Sequence, residues 1–174
     1  MSSLIYLAYG SNLHPLRLRE RVPSAQVLGP VRLPRYALRF HKRSEDRSGK
    51  CDLVCVDQPV EAFGALYQID PAHKHLLDEV EGVGNGYELV TIACELAGRR
   101  LEAFAYAASD THIDRKLNPY HWYKALVVAG ARYHNLAPHY VQALETVEAM
   151  ADPNRAREAL NQSLLRRIAQ YSPA

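Results

Sequence analysis

The chain lacks any strong imbalance of charge: 21 basic residues face 19 acidic ones over 174 positions, a formal charge of +2. Such a balance offers no electrostatic footprint for nucleic acid or an anionic membrane surface. Long hydrophobic runs are missing too, and the longest apolar stretches fall far short of a bilayer's thickness. The N-terminus shows no basic region, apolar core and small-residue cleavage site, so the expected location is cytoplasmic. Cysteine is scarce and odd in number. Cys51, Cys55 and Cys94 cannot all pair, and without an export signal they are expected as reduced thiols. Cys51 and Cys55, with His41 nearby, fall short of a zinc site because two further ligands at suitable spacing are missing. The eight histidines hold no H-E-x-x-H pattern, and His73 and His75 fall on different sides of a helix. Neither a metal nor a cofactor is expected. No repeat, linker or composition break divides the chain, so residues 1–174 read as one domain.

Hydrophobic residues make up 48% of the sequence, enough for a sizeable core. The first two-thirds alternates in the manner of strands: 24–29, 36–41, 51–56, 62–69, and a hairpin of 87–95 and 100–106 turning at Ala97-Gly98. Residues 42–50 form a charged loop with no apolar anchor and are expected to be mobile. Residues 107–117 read as a polar connection. Asp70-Pro71, Asn118-Pro119 and Asp152-Pro153 each place a capping side chain before a proline, and Pro138 marks a fourth start. The predicted helices are 71–81, 119–133, 138–149 and 153–170, the last with an apolar stripe that includes Leu160. Strands first and helices mostly later imply an α+β architecture with a mixed, curled sheet.

Two features carry chemistry. Leu4–Ala8 is an apolar run that stops in Tyr9-Gly10-Ser11-Asn12-Leu13. A strand ending so abruptly leaves free N–H groups, and a nest of such groups suits a carboxylate or an oxyanion. The second is Glu81, on the shoulder of a predicted stripe of His73, Leu76, Leu77 and Val80, with Lys74, His75, Asp78 and Glu79 on the wet side. It stands just before Gly82, the expected helix stop. Partial burial and the negative helix end both favour its protonated form, as suits a general acid or base.

The two features together resemble the gamma-glutamylcyclotransferase family. The matching segments are Y-L-A-Y-G-S-N-L (6–13), P-S-A (23–25), V-R-L-P-R-Y-A-L-R-F (31–40), G-A-L-Y (64–67), L-D-E-V-E-G-V (77–83) and P-Y-H-W-Y-K (119–124), in the family's order. The resemblance implies a closed or nearly closed mixed β-barrel flanked by helices. It implies Glu81 as the catalytic carboxylate, with Tyr9, Gly10, Ser11, Asn12 and Leu13 along the γ-glutamyl pocket and Tyr123 at its side. The partner is then a small γ-glutamyl molecule, and the assembly stays open between monomer and homodimer. Residues 40–51 have no clear counterpart, and Gly84-Asn85-Gly86-Tyr87 follows the pattern loosely. Loops of this kind carry specificity, which leaves the departing amine open.

The implied reaction asks little of the protein. The substrate's α-amine attacks its own γ-carbonyl, giving 5-oxoproline and a free amine or amino acid. A base, an oxyanion site and held geometry suffice. One alternative is a cyclotransferase for γ-glutamylamines or a γ-glutamyl-protected metabolite, whose pocket needs fewer cations. Arg32, Arg35, Arg99, Arg100 and Lys124 are the cationic candidates. Another is a non-catalytic module that binds a small carboxylate, against which the negative charge of Glu81 argues.

Overall fold

The structure, a computed structural model, describes residues 3–173. Strand β1 (Leu4–Ala8) lies at the centre of a five-stranded sheet. It pairs antiparallel with β5 (Glu61–Ile69) and parallel with β7 (Arg99–Ala108). Beyond them lie β2 (Gln26–Pro34) on β5 and β6 (Tyr87–Leu96) on β7. Tyr6, Leu7 and Ala8 are all buried, which is why β1 reads as an apolar run without alternation. The edge strands β2 and β6 approach without hydrogen bonding; Leu96 of β6 lies against Gly29 of β2. The sheet is a nearly closed barrel. A separate hairpin, β3 (Tyr36–Arg43) and β4 (Gly49–Cys55), stands beside it.

Several boundaries move for identifiable reasons. A short helix unforeseen in the sequence, α1 (Pro15–Arg21), follows the Gly-Ser-Asn turn. Pro15 opens it, and the buried His14 side chain caps it by accepting from Leu16 N at 3.2 Å. Residues 44–48 are pinned rather than mobile: Tyr120 Oη donates to Asp46 O at 2.6 Å, and Gly49 N to Asn118 O at 3.0 Å. The β6–β7 hairpin turns as expected, with positive φ at Ala97 (50°) and Gly98 (75°), matching a two-residue type I′ turn.

Asp70 caps a single 3₁₀ turn, Pro71–His73, which runs into α2 (Lys74–Glu81). Helix α3 (His121–Tyr133) begins two residues beyond Pro119, because Pro119 and His121 pair their backbone with Met150. That pairing also ends α4 (Pro138–Thr146) early. Helix α5 (Arg155–Ala169) is capped by Asn154, since the Asp152 carboxylate is engaged elsewhere. Leu160 is 72% exposed, outside the stripe formed by Leu164 and Ile168. Leu7, Leu66, Tyr67, Leu77, Leu126 and Val127 join barrel and helices in one core, each fully buried side chain contributing roughly 1.5–3 kcal/mol.

Candidate active site

A recess opens at the end of β1, lined by Tyr6, Tyr9, Gly10, Ser11, Asn12, Cys51, Glu81, Tyr87, Tyr106 and Tyr123. The sequence brings these groups together by stopping two elements abruptly. Strand β1 ends at Ala8, and Gly10 to Leu13 form a tight turn in which Leu13 N donates to Gly10 O at 3.1 Å. The amides of Gly10, Ser11 and Asn12 find no acceptor among the described residues, and they border the recess. Gly10 is obligatory for space: a Cβ there would stand 2.9 Å from Cys51 Cβ.

Leu13, expected along the pocket, turns away. It is fully buried, its amide closes the turn, and its carbonyl accepts from Tyr67 Oη at 2.6 Å and His134 Nε2 at 2.8 Å. The nest is therefore one residue shorter than the sequence suggested.

Helix α2 stops at Gly82 in the left-handed region (φ 64°, ψ 50°). Val83 N reaches Asp78 O and Gly82 N reaches Glu79 O, the paired bonds of a Schellman cap. This fixes Glu81 at the helix end, with its side chain 16% exposed. Asn12 Nδ2 donates to Glu81 Oε1 at 2.8 Å, and Arg21 Nη1 lies 3.3 Å from the same oxygen. Arg21 Nη1 also donates to Asn12 Oδ1 at 2.7 Å, and Asn12 Nδ2 to Tyr6 Oη at 3.1 Å. Both donors meet the same carboxylate oxygen and so fix the orientation of the side chain. Glu81 Oε2 has no partner among the described residues.

The helix face differs from the expected one. Val80 is 49% exposed, while Asp78, placed on the wet side by pattern, accepts from Tyr106 Oη and Lys74 Nζ, both at 2.7 Å. The inner face runs through Lys74, Leu77, Asp78 and Glu81. Three of the four are polar: Lys74 and Asp78 pair with each other against the rings of Phe104 and Tyr106, and Glu81 lines the recess.

The five tyrosines are one system. Tyr9 Oη donates to Tyr106 O, and Tyr87 Oη to Cys51 O at 2.5 Å. Tyr123, where α3 enters the core, accepts from Cys51 N at 3.0 Å. Burial raises the pKa of Tyr6, Tyr9, Tyr87, Tyr106 and Tyr123 above the usual phenol range, so all five are neutral at physiological pH. Burial likewise pushes the Cys51 thiol up to about 12, which removes it as a thiolate nucleophile.

The structure thus joins Tyr9, Gly10, Ser11, Asn12, Glu81 and Tyr123 and leaves Leu13 outside. Sequence reasoning missed Tyr6, Arg21, Cys51, Tyr87 and Tyr106. One signal was available: 11 tyrosines against three phenylalanines, a core built with hydroxyl-bearing rings. Of the expected cations, Arg32 pairs with Glu61, Arg35 with Asp57, and Lys124 donates to Glu145 O and Val147 O. These three and the hairpin residues Arg99 and Arg100 all lie outside the recess lining. No group of three or more metal-ligating side chains occurs among the described residues, and no helix there is long and apolar enough to cross a membrane.

Comparison with known proteins places this geometry. Residues 61–144 match the AIG2-like family. Gamma-glutamylcyclotransferases of Homo sapiens and Bos taurus are each 28% identical over 153 residues, covering 84% of this chain and 79% of theirs. A solved gamma-glutamyl cyclotransferase superposes with a TM-score of 0.85 at 23% identity, covering 95% of this chain and 99% of that one.

Proposed function

We propose that this chain, similar to gamma-glutamylcyclotransferases and AIG2-like in its matched region, cyclises γ-glutamyl compounds to 5-oxoproline and that Glu81 handles the protons. One observation carries the assignment of roles: the half-satisfied Glu81 carboxylate shares a recess with three unpaired backbone amides.

The α-ammonium of the substrate gives a proton to Glu81 at Oε2, the oxygen without a protein partner. The free amine attacks the γ-carbonyl carbon, and a C–N bond closes the five-membered ring. The carbonyl oxygen takes the negative charge, and the amides of Gly10, Ser11 and Asn12 are placed to receive it. The γ-carbon then loses its original nitrogen, which takes the proton held by Glu81; the ring nitrogen gives up its second proton by the same route, and the amine departs as an ammonium. No water is consumed. Arg21 and Asn12 hold Oε1 and so set the orientation of the base, while the neutral tyrosines supply a low-dielectric wall in which fixed dipoles act strongly. The nucleophile belongs to the substrate, in keeping with a protonated Cys51. Three free thiols, two of them buried, support a reducing, cytoplasmic setting.

The test is the first product in ¹⁸O-labelled water. A γ-glutamyl amino acid or amine is expected to give unlabelled 5-oxoproline; labelled glutamate would mean hydrolysis. No product from any γ-glutamyl compound would favour a carboxylate-binding module.

A further inference from the structure

Lys42 is a cation that the reaction leaves unexplained; it stands outside the recess lining but against the ring of Tyr87, which borders the recess. It is 8% exposed, and its Nζ lies over the Tyr87 ring, 4.5 Å from the centroid. The other lysines held in carboxylate pairs, Lys50 and Lys74, each bind an aspartate at 2.7 Å. Lys42 forms no such pair among the described residues. A buried ammonium without an anion is costly, and a ring face offsets only part of that cost.

Its placement is built into the backbone. The β3–β4 register slips between Arg39 and Lys42, and a bulge of this kind re-aims the side chains beyond it. Gly86 (φ 118°) leaves room for the ammonium: a Cβ there would lie 2.9 Å from Lys42 Nζ and 3.2 Å from His112 Cδ2. Burial lowers the Lys42 pKa, and the Glu81 carboxylate exerts the strongest opposing field, ahead of Glu45 and Asp46. The turn of residues 82–86 therefore runs from Glu81 to the lysine, with Val83 on its rim 41% exposed.

Resting on the cyclotransferase reading, we propose that Lys42 binds a carboxylate on the departing amine. The preferred substrates are then γ-glutamyl amino acids or peptides and not γ-glutamylamines. The γ-glutamyl part fills the recess, the scissile nitrogen lies by Glu81, and the leaving group passes the 82–86 turn toward the ammonium.

The experiment compares γ-glutamyl-L-alanine with γ-glutamylethylamide, whose leaving groups differ by that carboxylate alone. Wild-type protein is expected to favour the alanine compound. Lys42→Met should lower the ratio of the two kcat/KM values by about 10–100-fold, mainly through KM, as loss of a charge-assisted contact implies. Lys42→Arg should restore most of the ratio. An unchanged ratio in Lys42→Met, or a wild-type preference for the ethylamide, overturns the assignment. Absence of 5-oxoproline from both compounds with wild-type protein overturns the cyclotransferase reading instead. Thermal melting is a second readout: Lys42→Met should melt higher, because an unpaired buried charge is gone. A lower melting temperature in both Lys42→Met and Lys42→Gln would make Lys42 a structural anchor and sink the proposal.

Discussion

Two carboxylates in this molecule, each held beside an arginine, have opposite characters. Asp152, between α4 and α5, has a fully buried side chain with both oxygens occupied. Arg157 grips it through two bonds of 2.6 Å, Trp122 Nε1 donates at 2.8 Å, and Asn154 N donates at 2.8 Å. Led by the Arg157 bonds, these donors bring its pKa down to about 2. Glu81 meets its arginine through one longer contact of 3.3 Å, and its second oxygen is free among the described residues. A saturated carboxylate can only hold structure. One that is oriented on a single oxygen and open on the other can exchange a proton.

The sharpest way to break the comparison is to neutralise both groups. Glu81→Gln keeps the volume and the Asn12 contact but removes the base. Turnover of a γ-glutamyl substrate should fall by about 10²–10⁴-fold while the protein stays folded. Steady-state 5-oxoproline release beside a thermal melt measures both; near-normal turnover would take Glu81 out of the mechanism. Asp152→Ala should do the reverse. It strands the buried Trp122 donor and frees the partly exposed Arg157, and should cost about 1–3 kcal/mol of stability in urea unfolding, with turnover per folded molecule intact. A kinetic defect there would join the two carboxylates in one network.

The same contrast explains how much of the fold and site was legible in the sequence. The stops were: Gly82 ends α2, Asp70 caps its approach, and Gly10-Ser11-Asn12 ends the β1 run. Each is a local rule acting over a few residues. Inner faces near the recess were not. Pattern reading assumes that buried means apolar, so it turned Val80 inward and Asp78 outward, the reverse of what packing against Tyr106 produces. Lys42 was lost for a related reason. Alternation along Leu38, Phe40 and Lys42 carries no sign of the bulge that redirects it. Arg21 lies on a helix too short to have a clear period, and its partners are nine and 60 positions away. In the C-terminal layer, where the neighbours are core, Leu164 and Ile168 fall where periodicity places them, while Leu160 of the same predicted stripe faces out.

Acid should sharpen the comparison through His14, which lies beneath the nest. Its pKa is lowered from 6.5 to about 4, first by burial and then by the charge of His134. The unfolded chain takes up a proton that the folded chain refuses. Stability is therefore full above pH 6.5 and declines as the pH falls toward about 4, by up to about 3 kcal/mol. His14→Asn retains a capping acceptor for Leu16 N and should flatten this dependence in melts taken from pH 7 to 4. An unchanged slope would shift the acid sensitivity to His134, whose pKa burial also lowers.

The smallest effect tests where the site ends and the scaffold begins. Tyr123 borders the recess, yet its hydroxyl already accepts the Cys51 amide at 3.0 Å. Tyr123→Phe leaves that buried N–H without an acceptor, at a cost of about 1–3 kcal/mol in stability. Its contribution to the reaction is one polar contact, so turnover should fall only about 2–10-fold. The hydroxyl thus belongs more to the link between β4 and α3 than to the chemistry. Measuring kcat and the urea midpoint on the same preparation separates the two parts. If kcat fell as far as in Glu81→Gln while the midpoint held, Tyr123 would be handling a proton or the oxyanion. The division of labour between Glu81 and the backbone nest would then have to be redrawn around it.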